Sequence, residues 1–269
     1  MATDISLTAA MRSNLVSLQQ TANNIESVQN RLATGKKVAT ALDNPTNFFI
    51  AADHTKRADD FTTRKDGMLE AIQAIKAADN GITGIKTLLQ AASGLVESAR
   101  SGTSTDRSAL ATQFSTVLSQ ITTLVSDSKY KGTNFLTHGS LTVAFNADAT
   151  ASLTVQGFSS DSASLGVSVA TANFSLDTSL DAAASQITVA LSTLATESSK
   201  LASNLAVVNT RLDFTKGLVN NEKAGADNLT LADMNEESAN MLALQTRQNL
   251  GITSLNLASQ ANSSILRLF

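Results

Sequence analysis

Apolar residues recur three and four positions apart along most of this chain, the spacing that lines up one face of a helix against another. The N-terminal stretch carries it at Met11, Leu15, Leu18, Ala22, Ile25 and Leu32, with Gln29 as a polar interruption. Gly35 marks a helix stop, and Asn44-Pro45 offers an N-cap followed by proline at the first helical position. Arg31, Gly35, Lys36, Lys37, Asn44 and Pro45 therefore read as a solvated connector. A second stripe runs Met68, Ile72, Ile75, Ala78, Ile82, Ile85, Leu89, Ala92, Val96, Ala99 and ends near Gly102. A third is shorter, at Leu110, Phe114, Val117, Ile121 and Leu124, with Thr105 or Asp106 as its cap.

From about 131 to 180 the period drops to two. Leu141, Val143 and Phe145 alternate with small polar residues, Asn146 to Ala149 form a turn, and Leu153 and Val155 resume the alternation. A further strand is expected at Leu165, Val167 and Val169. Helix returns near Asp181 with Ile187, Leu191, Leu194, Leu201, Leu205, Val208, Leu212 and Val219, Ser198 and Thr215 taking two seam positions. A helix over 181–221 would be about 60 Å long, whereas a compact chain of this size has a radius of gyration of about 18 Å. The helices therefore predict a mainly α, elongated rod. After Gly225 a last helix is expected from Asp227 to Phe269. Its apolar residues, among them Leu250, Ile252, Leu255, Ile265, Leu266 and Leu268, go around the helix instead of forming one stripe, so it needs cover on several sides.

The plan is two terminal helices flanking a helical rod, with a small β-hairpin in the middle of the sequence. The expected divisions are 1–40 and 230–269 for the terminal helices, 41–138 and 178–229 for the rod, and 139–177 for a β-rich outward segment. Neither terminal helix has enough partners within one chain, so both should be loose in a monomer and ordered in an assembly.

Composition sharpens this. Aromatics are 4% and charged residues 16%, Trp and Cys are absent, and the single proline leaves long helices uninterrupted. A net charge of −3 without a basic block excludes a nucleic-acid face. The lack of Cys removes disulfides and thiolate chemistry. No basic-then-apolar leader opens the chain, and no run approaches the ~18 apolar residues of a membrane span. The chain should be soluble, or leave the cell by a route that needs no cleaved signal.

Catalytic and metal chemistry find no support. His54 and His138 are far apart without spaced ligands and read as surface residues. Asp53, Asp59 and Asp60 beside Lys56, Arg57 and Arg64 read as a salt-bridged face. No phosphate loop or nucleophile motif appears. No catalytic residue, cofactor or metal site is therefore assigned.

Read together, the two ends resemble bacterial flagellins, in a short form. The N-terminal resemblance lies in Arg31-Leu32-Ala33-Thr34-Gly35-Lys36-Lys37-Val38, then Ala41, Asp43 and Asn44, and continues in Asp79-Asn80-Gly81-Ile82 and Lys131-Gly132-Thr133-Asn134-Phe135-Leu136. At the C-terminus it lies in Gln245-Thr246, Gln248, Leu250-Gly251, Ser254-Leu255, Ala258 and Ile265 to Phe269. The resemblance implies an extracellular filament subunit, exported unfolded through the flagellar type III apparatus. Its terminal helices would pair as coiled coils in an inner tube, the rod would form an outer tube, and the large outer domains of longer flagellins would be missing. It also implies the partners: copies of itself, an export chaperone, a filament cap and hook-junction proteins, with no nucleic acid and no membrane.

Self-assembly should then use Met11, Leu15, Leu18, Ala22, Ile25, Leu32, Leu250, Ile252, Leu255, Ile265, Leu266 and Leu268. Gln29, Gln245 and Gln248 should set register, and Gln260 and Asn262 should help line a wet, weakly charged channel. Flagellins recognised by the vertebrate innate receptor carry Arg-x-Arg-Glu-Leu on the first rod helix. The matching positions here are Ala91, Ser93, Gly94 and Leu95, which predicts weak recognition. A hook–filament junction protein and a secreted coiled-coil effector are the competing readings.

Overall fold

A computed structural model describes residues 9–146, 148–168 and 174–266. Five helices and one hairpin follow in order: α1 (Ala9–Thr34), α2 (Pro45–Ser101), α3 (Ser104–Asp127), β1 (Ser140–Ala144), β2 (Ser152–Gln156), α4 (Asp177–Thr230) and α5 (Met234–Leu266). Two compact units result. One closes at Lys56 and resumes at Glu222; the other is Arg57–Asn221, so α2 and α4 each contribute to both.

In the Arg57–Asn221 unit, α2 supplies every residue of its expected stripe, from Met68 to Ala99, as a buried row. With 57 residues and no internal proline it is about 85 Å long. It packs with α3 and α4 around a shared core that includes Ile82, Ile85, Leu89, Phe114, Ile121, Ile187 and Leu194. The Asn80-Gly81 step has a packing reason. A Cβ at Gly81 would lie 2.5 Å from Ser128 Oγ and 2.6 Å from Leu136 Cδ1, and one at Gly84 2.8 Å from Leu124 Cδ2. The missing side chains let α3 and the chain leaving it approach α2 closely.

Several details differ from the sequence expectation. On α3 the innermost residues are Phe114, Leu118, Ile121 and Val125, while Leu110, Val117 and Leu124 are half-buried. Packing against two neighbours turned the helix further than its most regular stripe implied. Its cap is Thr103, not Thr105 or Asp106. Thr103 N–H and Oγ donate to Asp106 Oδ2 (2.9 and 2.7 Å) in a capping box. Arg107 then closes the end of α2, donating Nε–H to the Ala99 carbonyl (2.9 Å) and pairing with Asp177 (2.7 Å).

The helix ending the rod runs through Gly225 to Thr230. That glycine sits against the His54 ring, 3.5–3.6 Å from where a Cβ would stand. The break falls instead at 231–233, where Asp233 Oδ1 accepts the N–H of Asn235 (2.9 Å) and caps α5.

The hairpin forms where alternation predicted it, in the register Leu141↔Val155 and Val143↔Leu153. Val143 and Phe145 face Met68 and Ile72 of α2 and Val208 and Leu212 of α4, and the Arg211 guanidinium lies 5.2 Å above the Phe145 ring. One face of the β segment is thus packed on the chain's own helices. No strand forms at Leu165 and Val167; both are buried, but in a turn where Leu165 N–H donates to the Asp161 carbonyl (3.0 Å). Val169 lies outside the described residues.

The helices satisfy many of their hydroxyls locally. On α3, Thr112, Ser115, Thr116, Ser119 and Thr123 each donate to the carbonyl four residues earlier, and Thr188, Thr193, Thr196 and Thr210 do the same on α4.

Candidate self-assembly site on the paired terminal helices

α1 and α5 lie side by side and antiparallel, early residues of one meeting late residues of the other. Asn14 Nδ2 donates to Ser254 Oγ (3.4 Å), Leu18 meets Gly251, and Arg31 Nη1 pairs with Glu237 Oε1 (3.0 Å). A Cβ at Gly251 would stand 2.7 Å from Leu18 Cδ2, so this glycine is the hole that the leucine knob fills. The seam follows a strict heptad on both helices. On α1 it is Met11, Asn14, Leu18, Thr21, Ile25, Val28 and Leu32; on α5 it is Glu237, Met241, Leu244, Gln248, Gly251, Leu255, Ala258 and Asn262, buried or half-buried throughout.

The predicted residues divide accordingly. Met11, Leu18, Ile25, Leu32 and Leu255 are in the seam. Leu15, Ala22, Leu250 and Ile252 are not; they are exposed, Leu15 at 40% and Leu250 at 66%. The uncharged polar seam residues are Asn14, Thr21, Gln248 and Asn262, whereas Gln29 and Gln245 are exposed. Asn262 Nδ2 lies 3.1 Å from Met11 Sδ, and Gln260 is exposed. The side chains of Ile265 and Leu266, and all of Leu268, lie outside the described residues.

The connector is tied down along its backbone. Gly35 ends α1 at φ +69°, a conformation that favours glycine. Lys37 N–H donates to the Thr230 carbonyl (2.8 Å) and Ala232 N–H to the Gly35 carbonyl (2.9 Å), while Lys37 Nζ reaches the Asn228 carbonyl (3.3 Å). Asn44 Oδ1 accepts the N–H of Asn47 (3.0 Å), leaving Pro45 at the first helical position as expected. Asp43, quoted only as part of a motif, organises the turn. Its Oδ2 accepts the N–H of Thr40 (2.8 Å), the N–H of Ala39 (3.0 Å) and the Thr40 hydroxyl (3.1 Å), which hold the carboxyl below its ordinary range with help from Arg31.

Glu237 was missed because nothing marks an acidic residue in a first helical turn as buried. Its side chain is 9% exposed, and its second oxygen has no hydrogen-bond partner. His54 is not a free surface residue: its Nδ1 lies 2.5 Å from Glu222 Oε2, half-buried. His138 is exposed, with Nδ1 2.6 Å from Ser159 Oγ. Among the described residues no three His, Cys, Asp or Glu side chains cluster as metal ligands, and no helix is long and apolar enough to cross a membrane.

An antiparallel pair of terminal helices with an intramolecular seam and exposed apolar residues outside it marks the class: a mainly helical structural subunit. The comparisons give the family. Residues 5–140 match the bacterial flagellin N-terminal helical region. The chain is 27% identical over 267 residues to a flagellin of Brucella melitensis, covering 95% of both chains. It is 30% identical over 260 residues to Flagellin FljM of Caulobacter vibrioides, covering 95% of this chain and 94% of that one. The crystal structure of Bacillus cereus flagellin shares the fold at a TM-score of 0.50 and 16% identity, over 55% of this chain and 88% of that chain. The chain belongs to the bacterial flagellin family, the structural proteins of the extracellular flagellar filament.

Proposed function

We propose that α1 and α5 are the polymerisation elements of this flagellin and gain their remaining burial from other copies. The observation that carries this is the set of uncovered apolar residues on the outer faces of the two helices, away from their shared seam. Val16 is 59% exposed, Leu242 67%, Leu250 66% and Leu257 68%, while among the described residues of α5 only Glu237 is buried. Covering one such leucine contributes about 1.5–3 kcal/mol, so several together can drive a helix pair that is marginal by itself into order. Leu15, Ala22, Leu250 and Ile252 then serve contacts between chains, and Met11, Leu18, Ile25 and Leu255 the contact within one.

The same economy suits export. The chain has no cysteine to cross-link, and its ends bury little internally, so unfolded passage through the flagellar apparatus forfeits little. An export chaperone, a filament cap and hook-junction proteins are the partners this route requires. The chain has no catalytic role in this reading; its polar side-chain pairs tie helices together. Because Asn262 is turned into the seam, a weakly charged channel wall falls to Gln260 and its exposed neighbours.

Purified monomer added to short filament seeds tests the proposal, followed by negative-stain electron microscopy and limited proteolysis. Long filaments, with both ends cut in the monomer and protected in the polymer, are expected. Leu250→Ser and Leu257→Ser should leave the Arg57–Asn221 unit folded and abolish growth. Protected ends in a monomer that does not elongate would refute the proposal, and growth that stops at a short collar would favour a junction protein.

A further inference from the structure

We propose that the outer edge of β1 and the facing side of α2 form a slot for an extended segment of a second copy of this chain. The inference rests on the polymer reading above and adds a contact in the Arg57–Asn221 unit.

The hairpin's hydrogen bonds set which way its backbone points. Phe145 N–H donates to the Ala151 carbonyl and Gly157 N–H to the Gly139 carbonyl, both at 2.8 Å. Antiparallel ladders alternate, so Leu141/Val155 and Val143/Leu153 are the hydrogen-bonded pairs. The 3.0 Å approach of the Thr142 and Thr154 hydroxyls fits the closer, non-hydrogen-bonded kind of pair between them. Thr142 and Ala144 therefore turn their N–H and C=O groups away from β2.

On that side lies a cavity of about 300 Å³, lined by Leu141 to Ala144 of β1 and by Thr63, Arg64, Gly67 and Glu70 of α2. Gly67 lines this cavity. Glycine weakens a helix interior, and nothing lies within 4 Å of where its Cβ would stand, so internal packing does not account for it. Edge strands are ordinarily defended by lysine, proline or a bulge. Ser140-Leu141-Thr142-Val143-Ala144 carries none of these.

Backbone donors and acceptors at strand spacing recognise another extended backbone. In a homopolymer the chain that surrounds this surface is another copy. The slot and the segment that fills it are different parts of the chain, so the contact is heterologous and can repeat without closing. Glu70 on the α2 wall is already paired with Lys131 Nζ (2.9 Å) and with the Tyr130 hydroxyl (3.0 Å), so it asks for no charged partner from an occupant drawn from a chain this poor in charge.

Two full-length variants test the slot from opposite walls. Thr142→Pro removes an outward donor and spares the ladder bonds of Leu141 and Val143; Gly67→Leu fills the slot from α2. Both monomers should keep the wild-type circular dichroism, with Gly67→Leu melting at or above the wild-type temperature because it relieves a helix-interior glycine, while elongation on wild-type seeds falls about tenfold, the scale of one or two unmade hydrogen bonds. If Thr142→Pro disturbs the hairpin, Gly67→Leu decides alone. Wild-type growth accompanied by undiminished growth of either folded variant overturns the slot and leaves the polymer reading standing. Failure of the wild type to elongate overturns both.

Discussion

Gly81 and Gly94 lie on the same helix and should respond to alanine in opposite directions. At Gly94 nothing lies within 4 Å of the added carbon, so Gly94→Ala should stabilise by about 0.5–1 kcal/mol through the helix propensity of alanine. At Gly81 the new carbon would meet Ser128 Oγ at 2.5 Å, Leu136 Cδ1 at 2.6 Å and Ser128 Cβ at 2.9 Å. Leu136 is fully buried, and Ser128 is fixed as the C-cap of α3, its hydroxyl donating to the Leu124 carbonyl at 2.7 Å. Overpacking of this kind costs about 1–3 kcal/mol, and loosening the Ser128 bond adds about 0.5–1.5 kcal/mol. Against a propensity gain of about 1 kcal/mol, Gly81→Ala should destabilise by about 0.5–3.5 kcal/mol. Denaturant unfolding of the monomer, followed by circular dichroism at 222 nm, measures both, and each kcal/mol should move Tm by about 2–4 °C in a unit of this size. A Gly81→Ala protein as stable as Gly94→Ala would refute the close-approach account of the Asn80-Gly81 step.

Arg31→Ala should lower the heat-depolymerisation temperature of filaments. It leaves Glu237 buried without its one partner, at a cost of about 1–3 kcal/mol once the usual 3–5 kcal/mol is discounted for the 42% exposure of Arg31. Adding Glu237→Gln should recover part of the loss, which a double-mutant cycle reads directly. Asp43 has a folded pKa below its ordinary 3.8. Its stabilisation is therefore complete above that ordinary value and drains away as pH falls through the folded one. Hydrogen exchange at the Ala39 and Thr40 amides should show a closed turn at neutral pH that opens only in acid, and no such acid opening in Asp43→Asn. With Ala91, Ser93 and Gly94 in place of the arginine and glutamate of recognised flagellins, purified monomer should give little response in a receptor-reporter cell assay.

The long seams of α2 and α4 were legible because nearly every inward position is apolar, so the pattern carries both a period and a phase. On α1 the period was right, and Met11, Leu18, Ile25 and Leu32 were in phase while the positions between them were not. Leu15 and Ala22 are more apolar than Asn14 and Thr21, yet the latter face α5. A helix that carries two overlapping apolar stripes offers two phases, and hydrophobicity alone cannot say which is internal. α3 shifted for a related reason, packing between two neighbours. Gly225 was misjudged as a stop because glycine signals both helix ends and close contacts, here with His54. The connector's backbone bonds and the burial of Glu237 depend on residues some two hundred positions away, beyond the reach of local pattern. The hairpin was legible because a strict period of two, bounded by Asn146, has few other readings.

The hydroxyls of α3 that serve their own carbonyls are neutral, and that helix carries charge only at Asp106, Arg107 and Asp127, which leaves its surface little for dissolved ions to screen. Association between such surfaces should vary only modestly as the Debye length contracts from about 30 Å at 0.01 M salt to about 3 Å at 1 M. A propeller built from them would keep its grip as a swimming cell passes from dilute water into brine.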